Sequence, residues 1–205
     1  MTDVRRLVVA SHNPGKAQEL AALLAGLPVE VQSLADFPQV RLPEETGKTF
    51  ADNAILKARA VSLALGEWTL ADDSGLVVPA LGGAPGLHSS RVAPTDAERI
   101  SWLRSRMEGL AEPARHAHFV CTLALTDPQG RLVDTWTGRA EGRLLTAPRG
   151  EGGFGYDPVF LYEPAGKTFA EMAPEEKAAV SHRGQALRSF RADFPRVMKV
   201  AGADG

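Results

Sequence analysis

Residues 5–24 read RRLVVASHNPGKAQELAALL. The run from Arg5 through Ala10 has the composition of a buried strand, and residues 16–24 carry apolar side chains at helical spacing. Between them Ser11-His12-Asn13-Pro14-Gly15-Lys16 makes a polar turn, so the chain starts strand, loop, helix. Asn13 reads as the helix cap and Pro14 as its first residue, both favoured there for structural reasons alone. Lys16 does not fit that plain start, because a cation in a first turn opposes the helix dipole at a cost of about 0.3–1 kcal/mol. Free backbone N–H groups at such a turn favour a phosphate, and a bound anion would offset the lysine. The spacing is not that of a Walker loop.

Outward from this unit, strands and helices continue to alternate. Val29-Glu30-Val31 alternates like a second strand, and Pro38, Pro43 and Gly47 mark a long loop after it. Thr49 and Asp52 have capping-box spacing and open a helix to about Leu65 with an apolar core face. Residues 68–71 read as a short strand that breaks at Asp72-Asp73-Ser74-Gly75, with Leu76-Val77-Val78 resuming extended structure. Residues 81–91 are too rich in Gly, Pro and Ser to be regular, and residues 95–107 read as a helix. Residues 116–125 and 132–137 read as strands paired around the Asp127-Pro128-Gln129-Gly130 turn. A glycine-rich loop over 148–158 precedes a short strand near Val159-Phe160-Leu161, and helical patterns flank Ser181-His182-Arg183-Gly184.

With 205 residues, 44% of them hydrophobic, the expectation is one domain over residues 1–205. A formal charge of −2 gives no global positive field for a nucleic-acid backbone, so no nucleic-acid partner is expected. Cys121 is the sole cysteine, which rules out an intramolecular disulfide and a cysteine-based zinc site and fits a cytoplasmic setting. The first apolar run is too short for a signal peptide, and no later run reaches membrane-spanning length.

Four further features could carry chemistry. Asp72-Asp73 offers oxygen ligands of the kind magnesium takes, although Asp-Asp-Ser-Gly is also ordinary turn composition. Adjacent strand residues face opposite ways, so one aspartate at most points into a given site. Glu44-Glu45 could add a ligand, or be surface charge. The stretch Gly150 to Pro158 pairs Phe154 and Tyr156 with Asp157 among glycines, and could sandwich a flat base or form a turn with a core aromatic. Ser181-His182-Arg183 again sets cations at a helix start, with Lys177 close by; a ligand or plain solvation accounts for them. His116 and His118 share one side of a strand, with no third ligand nearby, and read as an exposed strand face rather than a zinc site.

Five ordered blocks, SHNPGKAQEL (11–20), EETGKTFADNAILKA (44–58), LADDSGLVVPALGGAPGLHSSR (70–91), GGFGYDPVF (152–160) and EEKAAVSHRGQAL (175–187), resemble the inosine triphosphate pyrophosphatase family, the dITP/XTP pyrophosphatases. The resemblance spans nearly the whole chain. It implies an α/β fold, elongated and two-lobed around a long mixed β-sheet flanked by helices, with the active site in the cleft between lobes, and a homodimer. It implies magnesium-dependent hydrolysis of ITP, dITP and XTP to the monophosphate and pyrophosphate. In these terms Ser11, His12, Asn13, Pro14, Gly15 and Lys16 would hold the triphosphate, Glu44 and Asp73 the magnesium, and Asp73 would activate the attacking water. Ser74, Phe154, Gly155, Tyr156, Asp157, Lys177, His182 and Arg183 would line the nucleotide pocket, with Lys16 and Lys177 neutralising the leaving pyrophosphate. The family pattern usually has glycine where this chain has His12; a slot needing positive φ would be altered by it. A nucleotide-sensing module without turnover, or a phosphatase releasing orthophosphate, are the alternatives from other classes.

Overall fold

The structure is a computed structural model that describes residues 5–200, and the side chains of residues 6–197. Residues 7–9 of strand β1 (Arg5–Val9) are apolar and buried, covered on both faces. Leu7 and Val9 pack with Leu20 and Leu24 of α1 (Pro14–Leu24) and with Leu187 and Phe190 of α5 (His182–Val200). Val8, on the opposite face, packs with Ala54, Ala58 and Val61 of α2 (Phe50–Leu65). Such two-faced burial belongs to parallel strands, and β1 runs parallel to both β2 (Val29–Ser33) and β3 (Trp68–Val77).

The expected caps set the helix ends. Asn13 Oδ1 accepts from Lys16 N at 3.1 Å, with Pro14 at the first position of α1. Thr49 and Asp52 close a reciprocal box at 3.1 and 3.0 Å, and Gly66 ends α2 in the left-handed region at φ 67°. Thr95 and Glu98 form the same box at α3 (Asp96–Arg106).

Strands β4 (His116–Thr126), β5 (Leu132–Leu144), β6 (Phe160–Tyr162) and β7 (Lys167–Thr168) complete, among the described residues, a seven-stranded sheet of order β2-β1-β3-β4-β5-β6-β7. β6 runs antiparallel to β5 and β7, so the sheet is mixed, as the sequence resemblance implies. A short helix, α4 (Pro174–Val180), precedes α5. No described helix is long and apolar enough to cross a membrane.

Three expectations are corrected. β3 does not break at Asp72-Asp73-Ser74-Gly75; it runs unbroken from Trp68 to Val77, because each aspartate meets a lysine from a helix packed against the strand. β5 runs on to Leu144, seven residues beyond the expected end at Thr137. Its continuation has one dry face, Gly138, Ala140 and Gly142, and one wet face, Arg139 and Glu141. His116 is exposed as expected, paired with Glu141 at 3.1 Å, but His118 is buried, its Nδ1 3.2 Å from Arg139 Nη2. Burial lowers the His118 pKa, and Arg139 adds to the shift.

The chain forms two compact units. The first takes the described residues up to Asp73, then residues 121–138 and 183–200, and holds the two cores around β1. The second takes residues 74–120 and 139–182. Its core joins Leu76, Ile100, Leu103, Phe119, Phe160 and Phe169, with the Phe119 and Phe160 ring centroids 4.6 Å apart.

Candidate active site

Two clusters gather most of the residues singled out in the sequence, one in each unit. In the first, Asp72 and Asp73 stand on opposite faces of β3 and meet different partners, as strand alternation requires. Asp72 shares the face of Leu70, toward α1 and α5. Its Oδ2 lies 3.1 Å from Lys16 Nζ and 3.3 Å from Arg183 Nη2, and Arg183 also bonds Glu19 of α1. All of Asp72 and Arg183 is buried. Burial works to raise the Asp72 carboxyl, but Lys16, Arg183 and Lys57 outweigh it and hold the group far below the usual carboxylate range.

These pairs account for both helix starts that looked unexplained in the sequence. Lys16 and Arg183 sit in first turns because Asp72 and Glu19 supply the opposing charge from within the protein. No bound anion is needed to explain them.

Asp73 lies on the Ala71 face, toward α2. Lys57 Nζ donates to Asp73 Oδ1 at 3.0 Å and to Glu45 Oε1 at 2.8 Å, and Asn53 Nδ2 donates to Asp73 Oδ2 at 3.2 Å. Asn53 in turn accepts from Gly47 N at 2.8 Å, which ties the loop before α2 to the site. Burial pushes the Asp73 carboxyl up, and the Glu45 charge adds to it against the pull of Lys57. Burial opposes the Lys57 ammonium, yet Asp72, Asp73 and Glu45 raise its pKa. Several carboxylates thus compete for one lysine, an arrangement that a divalent cation with a taste for oxygen donors would relieve.

Lys57 and Asn53 were not picked out from the sequence. Their signal was present: they lie four residues apart on α2, on the same stripe as Ala54, Ala58 and Val61. Of the expected glutamates, Glu44 is exposed, and Glu45 is the one that shares Lys57 with Asp73. Ser11 is buried and accepts from Asn13 N at 3.2 Å, whereas His12 is exposed. No described non-glycine residue has positive φ, so His12 occupies its slot without strain. Ser74 follows Asp73 on β3 and is half-buried.

The second cluster is the aromatic loop. Gly153 and Gly155 take φ of 72° and 64° on either side of Phe154. A Cβ at Gly153 would lie 2.1 Å from Asp157 Oδ2, so only glycine fits there. Asp157 Oδ2 accepts from Phe154 N at 2.9 Å and from Lys177 Nζ at 2.6 Å, and the ammonium lies 4.8 Å from the Phe154 ring centre. Lys177 therefore belongs to this loop. The two aromatics differ: Phe154 is half-buried, while Tyr156 is core, its hydroxyl donating to the Ser89 carbonyl at 2.9 Å and its pKa pushed up to about 12 by burial. His182 is buried and stacks on Phe119 at 4.7 Å.

Fold and clusters together define a mixed-sheet α/β protein with paired carboxylates buried in the middle of a strand and a glycine-hinged aromatic loop. The Ham1 family profile matches residues 7–193, and the chain belongs to that family. It is 50% identical over 202 residues to the dITP/XTP pyrophosphatase of Geobacillus kaustophilus, covering 97% of this chain and 98% of that protein. It is 52% identical over 187 residues to the protein of the same name from Thermus thermophilus, covering 90% and 89% of the two chains. Among solved structures, a HAM1 protein from Coxiella burnetii superposes with a TM-score of 0.84 at 40% identity, over 94% of this chain and all of that one.

Proposed function

We propose that this protein is a hydrolase that cuts non-standard purine nucleoside triphosphates, ITP, dITP and XTP, into the monophosphate and pyrophosphate, clearing them from the nucleotide pool. The names of its relatives support the substrate class, and the state of Asp73 carries the chemistry. A buried carboxyl fixed by Lys57 and Asn53 is positioned to take a proton from a water beside it, as a general base does. The water oxygen bonds the α-phosphorus, the bond from that phosphorus to the bridging oxygen breaks, and pyrophosphate leaves.

Residues 11–16 hold the triphosphate in this proposal, with Lys16 exchanging its Asp72 partner for phosphate oxygens. Asp73 and Glu44 would hold magnesium in this proposal. Bound magnesium supplies Lewis acidity and neutralises charge on the phosphate oxygens. Ser74 and the loop residues Phe154, Gly155, Tyr156 and Asp157 with Lys177 take the nucleoside, Phe154 stacking on the base. His182 and Arg183 line the pocket in this proposal, and Arg183 with backbone N–H groups supplies donors for a 6-oxo purine. Adenine would leave such donors unpaired, at about 1–3 kcal/mol each. The homodimer and the cytoplasmic setting belong to the same proposal.

The test is product analysis with ITP and magnesium, for wild type and Asp73→Asn. Inosine monophosphate and pyrophosphate are expected from wild type, with the variant slowed at least about a hundredfold, the scale of a lost general base. Orthophosphate as product, or binding without turnover, would replace the proposal with a phosphatase or a sensor. An unimpaired variant would remove Asp73 from the chemistry.

A further inference from the structure

The amides of Phe154 and Gly155 are successive N–H groups in a turn between two positive-φ glycines. Each of the two is taken by a different protein carboxylate. Asp157 Oδ2 takes the Phe154 N–H at 2.9 Å, and Asp96 Oδ2 takes the Gly155 N–H at 2.7 Å. Asp157 is local to the loop, but Asp96 comes from the first turn of α3, 59 residues away in sequence. It is itself fixed, since its Oδ1 accepts from Arg99 Nη1 at 2.6 Å and Thr95 caps the helix it starts.

A Cβ at Gly155 would meet nothing within 4 Å, so no side chain packs on that side of it. Its amide is held by the Asp96 carboxylate. On the far side the loop is anchored by the Tyr156 hydroxyl on Ser89. Phe154 is thus a half-buried residue of a segment held from several elements, by Asp96 of α3 on the Gly155 amide, by Ser89 on Tyr156, and by Lys177 of α4 on Asp157.

We propose that Asp96 is a positioning residue for base recognition: through the Gly155 amide it holds the Phe154 ring in the orientation that stacks on the purine. This rests on the reading of Phe154 as the base platform. It assigns Asp96 to nucleotide binding and not to the bond-breaking step.

The experiment measures KM and kcat for ITP in Asp96→Ala, Asp96→Asn and Arg99→Ala, with amide hydrogen exchange of residues 152–157 in the nucleotide-free proteins. Asp96→Ala is expected to raise KM about tenfold, the weight of one hydrogen bond to a charged acceptor, with kcat within about twofold of wild type. Asp96→Asn keeps an oxygen for the Gly155 amide and is expected to restore KM. Arg99→Ala removes the bond that fixes Asp96 Oδ1, together with those to the Ala93 and Pro94 carbonyls, but leaves Asp96 its Gly155 bond, and is expected to raise KM less than Asp96→Ala does. Loop exchange should quicken most in Asp96→Ala. An unchanged KM, an equal loss in kcat, failure of asparagine to rescue, or unchanged loop exchange would each overturn the role of Asp96. Failure of wild type to release pyrophosphate from ITP would overturn the functional reading, while the exchange result would still decide whether Asp96 holds the loop.

Discussion

Asp72 gathers Lys16 and Arg183 at 3.1 and 3.3 Å with no exposure of its own, so its charge matters to stability as much as to any substrate. Replacing it with asparagine leaves two cations short of a buried counter-charge. Breaking one side of a buried pair costs about 3–5 kcal/mol, and a loss of this size is expected for Asp72→Asn by urea unfolding at pH 7. The pH dependence follows from the depressed carboxyl. In the unfolded chain an aspartate titrates near about 3.9; in the fold Asp72 stays ionised well below that. Its contribution is therefore full above the unfolded value and is lost as pH falls toward the folded one. The gap between wild type and variant should be widest near neutrality and shrink below about pH 4. A gap that stayed constant to pH 3 would mean that Asp72 is not held ionised by its neighbours. At this scale the sequence was partly legible. Lys16 and Arg183 stood out as cations against a helix dipole, which was right as a sign of an anion nearby; that the anion is Asp72 needed the fold, because residues 16, 72 and 183 meet only in three dimensions.

At the scale of elements, what could be read was what is encoded within a few residues. Thr49 with Asp52 and Asn13 with Pro14 announce helix starts through bonds that span three positions, and both starts fall as expected. β3 was misread for the complementary reason: Asp72-Asp73-Ser74-Gly75 has turn composition, and only partners on α1, α2 and α5 let a strand carry two buried carboxylates. β5 was cut short because the alternation of Arg139 and Glu141 with Ala140 and Gly142 looks polar until one face is seen to be dry. Gly142 makes that face testable. A Cβ there would stand 2.5 Å from the Leu161 carbonyl and 2.6 Å from the Phe160 ring, just beside the paired residues Arg143↔Leu161 and Leu144↔Phe160. Gly142→Ala should push β6 from β5 and cost about 1–3 kcal/mol, as overpacking does. Thermal unfolding followed by circular dichroism measures it; an unchanged midpoint would show that β6 can shift at no cost.

For the whole molecule, the question is whether two compact units unfold as two. The chain passes between them at residues 73/74, 120/121, 138/139 and 182/183. None of these passages is a linker. The first three lie inside β3, β4 and β5, and the last lies in the first turn of α5. Independent domains are joined through exposed, flexible segments that few contacts cross, and this chain has regular structure at every junction. Unfolding one unit alone would cut three strands and expose the start of a helix that stays folded in the other. The cost of those cut ends couples the two cores. Calorimetry of the protein should therefore give one transition, with calorimetric and van't Hoff enthalpies in agreement. Asp72→Asn perturbs the first unit and Gly142→Ala the second, so each should move that single transition as a whole. A second peak, or a shoulder that one variant moves and the other does not, would show two separately folding bodies.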